Sequence, residues 1–285
     1  MPRIGIMQGR LAPPTHGRIQ CFPRGQWQDE FAYAEAAGLD LIEWIYDLHG
    51  AGANPIETDA GVRSMLAVSR THGVSVLSLC ADYYMERPFT TADEGGVQEL
   101  ERHLLWLLTR CERAGIERIV LPFVDASRIQ NDLQRERVTR ILDRALPFAE
   151  ASGIELHLET SLPPADFVAL LRKIDSPWVK VNYDSGNSSS LGYDPAREFA
   201  AYGDRVGSIH IKDRVRGGGT VPLGLGDADF ARLFQAICRS GYAGDYILQV
   251  ARPQAGDEVP WARQNKSFLC EWLKAAQSAP YEVCC

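Results

Sequence analysis

The chain has no surplus of positive charge: 30 Lys and Arg stand against 37 Asp and Glu, a formal net charge of −7. With no arginine- or lysine-rich stripe to relieve that balance, nucleic acid is not an expected partner. Long apolar runs are lacking as well. None approaches the ~20 residues needed to span a bilayer, so no membrane partner is expected. The opening MPRIGIMQGRL lacks an apolar signal core and enters a strand at once, which makes the cytoplasm the expected location. The seven cysteines (Cys21, Cys80, Cys111, Cys238, Cys270, Cys284 and Cys285) are odd in number and scattered without metal-ligand spacing. That pattern excludes a thiolate zinc centre and leaves reduced thiols, with no role for the adjacent pair at the tail.

What is present is regular alternation. Short Val-, Ile- and Leu-rich runs are expected as strands over 3–7, 39–45, 74–80, 118–122, 154–159, 179–184, 206–212 and 245–250. Amphipathic stretches between them predict helices over about 26–37, 60–72, 97–114, 131–152, 164–173, 196–202, 229–240 and 261–276. Five helix-to-strand corners carry a glycine just past the last turn, in AAGLDL, THGVSV, RAGIER, ASGIEL and RSGYAG, where it can take the left-handed conformation that ends a helix. Eight βα units with no linker predict an α/β fold, a single (β/α)8 barrel occupying 1–285 as one domain. Strand-to-helix links are long, at 8–25, 46–59, 81–96 and 213–228, which puts irregular chain on the face that carries barrel active sites. The RVRGGGT segment is expected as a mobile loop and matches a phosphate cradle poorly, since no strand precedes and no helix follows its glycines in P-loop order.

The ends of the last four strands offer Glu159, Asp184, His210 and Gln249. A barrel aims all four into one bowl, and mixed carboxylate, imidazole and amide oxygen ligands suit one divalent ion, Mn²⁺, Mg²⁺, Co²⁺ or Zn²⁺. The plain alternative for each is structural, because a strand-end Asp or Glu commonly caps the following helix. Around them, Glu43 shares the parity of Leu41 and Ile45 and can face the barrel mouth. Lys212 has the parity of His210 and can neutralise a substrate oxyanion or pair with Asp184 or Glu159. His49, Asp82 and His157 are candidate substrate contacts, His157 equally as a hydrogen-bonded barrel residue. Arg10 and Arg252 follow the first and last strands and can meet a phosphate or carboxylate, or form rim salt bridges. Trp44, Tyr46, Tyr83, Tyr84, Phe123 and Tyr183 near the same rim offer an apolar wall for a substrate, though most barrel aromatics are core. His72 and His103 fall within helix patterns and are expected at the surface or in packing.

With IGIMQGRL, GLDLIEWIYD, SLCADYYM, IELHLET, VNYDSGN, IHIKD and GLGDADF in view, the chain resembles over nearly its whole length the xylose-isomerase-like TIM-barrel superfamily of sugar and sugar-phosphate isomerases and epimerases. The resemblance implies a metal held by a glutamate, an aspartate, a histidine and a second glutamate on successive late strands. Glu159, Asp184 and His210 match that pattern; Gln249 stands where the second glutamate is expected. Epimerisation by two glutamates on opposite substrate faces therefore loses one of its groups, because an amide cannot exchange a proton as a base.

These readings converge on a divalent-metal-dependent isomerase or epimerase of a sugar, sugar phosphate or related polyhydroxy carbonyl compound, acting through an enediolate. Glu159 is the expected acid/base, with Lys212 and Glu43 in support, and a homodimer is the expected assembly. A metal-dependent lyase or dehydratase would share every ligand. An abasic-site endonuclease of the same fold needs a histidine-rich multi-zinc cluster and a basic rim that six histidines and this charge do not supply. A metal-free binding protein is the remaining competitor.

Overall fold

A computed structural model describes residues 2–278. In chain order its elements are β1 (Ile4–Met7), α1 (Asp29–Ala37), β2 (Leu41–Ile45), α2 (Asp59–His72), β3 (Ser75–Cys80), α3 (Tyr83–Glu86), α4 (Glu94–Ala114), β4 (Arg118–Phe123) and α5 (Asp132–Ser152). There follow β5 (Glu155–Thr160), α6 (Pro164–Ile174), β6 (Val179–Asp184), α7 (Ser185–Leu191), α8 (Pro195–Tyr202), β7 (Val206–Ile211), β8 (Asp213–Arg214), β9 (Thr220–Val221), α9 (Phe230–Ser240), β10 (Tyr246–Leu248) and α10 (Glu258–Ser278). Eight parallel strands close in the order β1-β10-β7-β6-β5-β4-β3-β2, a (β/α)8 barrel.

Alternation explains the closure. In β5, Leu156 and Leu158 are fully buried toward the helices, while Glu155, His157 and Glu159 have the opposite parity and face the barrel interior. The first and last strands join with Ile4 opposite Tyr246. Beneath that seam Asp245 takes Arg3 at 2.8 Å and the buried Arg118 at 2.7 Å, tying β1, β4 and β10 together at the N-terminal end of the barrel. The five corner glycines, Gly38, Gly73, Gly115, Gly153 and Gly241, all have positive φ, between 64° and 72°, and end α1, α2, α4, α5 and α9.

The structure corrects the sequence reading in several places. The 213–228 link is not a free loop: β8 and β9 pair antiparallel as a hairpin, and Gly217 N donates to Ser190 O at 2.9 Å. Two helices were unforeseen, α3 and α7, both shorter than the length at which amphipathic periodicity becomes readable. The last strand ends at Leu248, leaving Gln249 just beyond it, and the seventh ends before Lys212. The final helix begins at Glu258 and runs through Pro260, tolerated because the first turn has no donor to lose there. Cys21, Cys80, Cys111, Cys238 and Cys270 are free thiols, whereas Cys284 and Cys285 lie outside the described residues. Among the described residues no helix is long and apolar enough to cross a membrane.

Candidate active site

The late strands converge at the C-terminal end of the barrel. Glu159 from β5, Asp184 from β6 and His210 from β7 are all buried, and one ligand atom from each lies within 4.8 Å of the others. Asp184 also answers the structural alternative. Its Oδ1 accepts from Asn187 N at 2.8 Å as the N-cap of α7, while its buried Oδ2 has no hydrogen-bond donor and faces Lys212 Nζ at 3.5 Å. One carboxylate thus caps a helix and presents a second oxygen to the site.

His210 is oriented from both sides. Its Nε2 lies 2.7 Å from Glu43 Oε1, and its Nδ1 is 3.2 Å from Asn182 Nδ2, 3.6 Å from Glu159 Oε2 and 4.0 Å from Asp184 Oδ2. A carboxylate behind the ring that fixes which nitrogen faces the site is the usual support of a metal-ligating histidine. Burial opposes a charge on His210, but Glu43 outweighs it and raises the histidine pKa above its ordinary value; burial likewise opposes the Glu43 charge, and His210 outweighs it to lower that carboxyl. Glu159 is pushed up, first by burial and then by the Asp184 charge. It accepts from Asn187 Nδ2 at 2.5 Å and Asn182 Nδ2 at 3.2 Å. Three donor atoms this close, with an orphaned buried carboxylate oxygen among them, fit a divalent cation.

Above this group a cavity of about 270 Å³ opens to the strand-to-helix loops, walled by Glu159, Lys212, Gln249 and Asp82 and by the apolar Met85 and Val124. Gln249 Oε1 accepts from Lys212 Nζ at 3.0 Å, and its Nε2 donates to Gln20 Oε1 at 3.1 Å. Gln20 in turn donates to Asp82 Oδ2 at 2.7 Å. Lys212 has room for its stem because residue 186 is glycine: a Cβ there would stand 2.6 Å from Lys212 Cγ.

Other expected site residues sit elsewhere, each for an identifiable reason. Glu43 is behind His210 and absent from the cavity wall. His157 lies lower in the barrel, 2.7 Å from Ser208 Oγ and 2.8 Å from Glu155 Oε2, and Ser208 donates to Asn182 Oδ1, so a polar column runs up to Glu159 and His210. Arg10 donates to Val250 O and Gln20 Oε1, and Arg252 donates to Ile19 O and Ala12 O, so both clamp the β1–α1 link instead of facing the cavity. His49 is outside the cavity wall, its carbonyl accepting from Arg24. The aromatic wall is not formed either. Trp44 packs with Phe22 and Trp27 in the core, Tyr183 donates to Glu198, and Tyr46, Tyr83 and Tyr84 gather around His103, which stacks on Tyr83 at 4.1 Å. Sequence reasoning missed Asn182 and Asn187. Both were signalled: Asn182 shares the inward parity of Asp184 two residues on, and Asn187 is at the capping distance after it.

The fold, the buried Glu–Asp–His group and the family comparison agree on a class. A model of the xylose isomerase-like TIM barrel matches residues 31–272, and the chain belongs to that family. It is similar to a putative L-ribulose-5-phosphate 3-epimerase, SgbU, of Escherichia coli K12, 26% identical over 275 residues covering 90% of this chain and 94% of that one. The L-ribulose-5-phosphate 3-epimerase UlaE of Salmonella paratyphi A is 26% identical over 270 residues, with 90% and 92% covered. Among solved structures, an L-ribulose 3-epimerase superposes with a TM-score of 0.74 at 18% identity over 99% of this chain and 100% of that chain, and shares its fold.

Proposed function

We propose that the chain is a divalent-metal-dependent isomerase or epimerase of a sugar, sugar phosphate or related polyhydroxy carbonyl compound, acting through an enediolate. The observation that carries this reading is the buried Glu159–Asp184–His210 group, in which one Asp184 oxygen accepts no hydrogen bond, at the floor of a polar cavity. Glu159, Asp184 and His210 would hold the ion, with Gln249 as a neutral fourth contact. A bound divalent ion supplies positive charge where an oxyanion develops.

The protein's own groups do the rest. Glu159, at the cavity wall, exchanges the proton on the carbon beside the carbonyl. Lys212 Nζ, held between Asp184 and Gln249, donates to the developing oxyanion. Glu43 acts through His210 by fixing its ring. Asp82 contacts the substrate, whereas Arg10 and Arg252 shape the loop above it. Because Gln249 cannot take up a proton, the exchange is one-sided unless Asp82 serves the other face of the substrate. The chain would work as one domain in the cytoplasm, on a small molecule and without nucleic acid, and as a homodimer.

The test is incubation of free and phosphorylated ketoses with Mn²⁺-loaded protein in D2O. Metal-dependent deuterium uptake at carbon with formation of an isomeric sugar is expected. Loss of water from the sugar would indicate a lyase instead, and absence of both reactions together with absence of bound metal by elemental analysis would rule the reading out.

A further inference from the structure

Resting on that reading, we propose that the substrate is an uncharged sugar and that a terminal phosphate is rejected. The cavity wall carries five carboxylates, Asp47, Asp82, Glu86, Asp125 and Glu159, against two cations, Arg18 and Lys212. Both cations already face protein anions: Arg18 Nη1 is 3.1 Å from Glu86 Oε1, and Lys212 Nζ is 3.5 Å from Asp184 Oδ2. Of the other arginines near the mouth, Arg214 donates to Asn187 Oδ1 and Gly218 O, and Arg10 and Arg252 are committed to loop carbonyls and Gln20. Glu159 and Asp184 together match the two charges of one divalent ion, and the remaining wall carboxylates, Asp47, Asp82, Glu86 and Asp125, outnumber the two cations by two, so a phosphate dianion entering this partly enclosed cavity is repelled.

The second observation concerns backbone donors. Barrels hold phosphate with clustered N–H groups on the loops after late strands. Here the loop after β7 does form such a cluster, and the protein fills it with its own anion: the fully buried Asp213 accepts from Gly224 N and Gly226 N at 2.9 Å each and from Ala228 N at 3.1 Å. Fit is tight, since a Cβ on Gly226 would stand 2.2 Å from Asp213 Oδ1. On the loop after β2, Asp47 does the same with Phe22 N at 2.9 Å and Gly50 N at 2.6 Å. Carboxylates that repel phosphate are good acceptors for sugar hydroxyls, so the same wall suits a neutral polyol.

The experiment compares L-ribulose with L-ribulose 5-phosphate, and a free ketohexose with its terminal phosphate, on the Mn²⁺-loaded full chain, by kcat/KM and by calorimetric Kd. The free sugars are expected to be favoured by about 100-fold, a ratio that narrows at 0.5 M salt as the repulsion is screened. Glu86→Gln, which removes one carboxylate and releases Arg18, is expected to cut the ratio about tenfold. A phosphate bound and turned over in preference to its free sugar would overturn the inference and leave the epimerase reading intact. Turnover of neither would overturn the reading, and the two Kd values would still decide the charge preference.

Discussion

Asp184 and Asp213 are two buried carboxylates at the same rim of the barrel, one ending β6 and the other just past β7, yet their surroundings differ completely. Asp213 is saturated by three backbone N–H groups and closes a hairpin. Asp184 accepts one backbone N–H and leaves its other oxygen without a donor beside Glu159, His210 and Lys212. A buried anion whose hydrogen bonds are complete is architecture; one left incomplete next to other ligand atoms is available for a cation or substrate. Glu30 stands between them. Its Oε1 accepts from Gly9 N at 2.7 Å and Leu11 N at 3.2 Å, while Oε2 has no partner, and burial pushes its carboxyl up to about 8.

The contrast breaks if the two aspartates behave alike on substitution. Asp184→Ala should abolish metal retention and lower kcat/KM by about 10³-fold while costing only about 1 kcal/mol of stability for the lost N-cap of α7, read by elemental analysis, kinetics and urea denaturation. Asp213→Ala should do the reverse, costing about 3 kcal/mol of stability by stranding buried N–H groups while metal stoichiometry is retained at low temperature. Next comes Gln249→Glu, which places a proton-exchanging group across the cavity from Glu159. Deuterium uptake should rise about tenfold; a fall would mean that the amide itself serves the chemistry.

The smallest effect sharpens the middle case. Between pH 4.5 and about 8 the folded chain keeps a proton on Glu30 that the unfolded chain has released. The stability tied to this group is therefore complete below about pH 4.5 and is lost as pH rises through about 8. Glu30→Gln should flatten that part of the stability profile, measured by urea denaturation at several pH values. An unchanged slope would show that Glu30 is ionised and satisfied like Asp213.

Much of the fold was legible because its signals are local. Val- and Ile-rich runs, the parity within the ELHLE pattern of β5 and the glycines after helices report strands, faces and corners without knowledge of the partner strand. The hairpin was not legible, since two-residue strands have no period and their pairing depends on Asp213 gathering N–H groups up to 15 residues away. The ligand candidates were legible from position at strand ends. Arg10 and Arg252 were misplaced as anion contacts because the carbonyls that hold them, Ile19, Ala12 and Val250, come from loops whose path the sequence does not encode locally.

By itself, then, the sequence determined the number and order of the barrel strands, the end of the barrel that carries the candidate site and the residue types available there, all of them consequences of short-range periodicity and turn chemistry. Only the tertiary structure decided which polar atoms were already satisfied. It placed Glu43 behind His210, gave Asp213 its three donors and left Asp184 one oxygen short. Hydrogen-bond completeness is a property of groups brought together from distant parts of the chain, and closing the barrel is what brings them together.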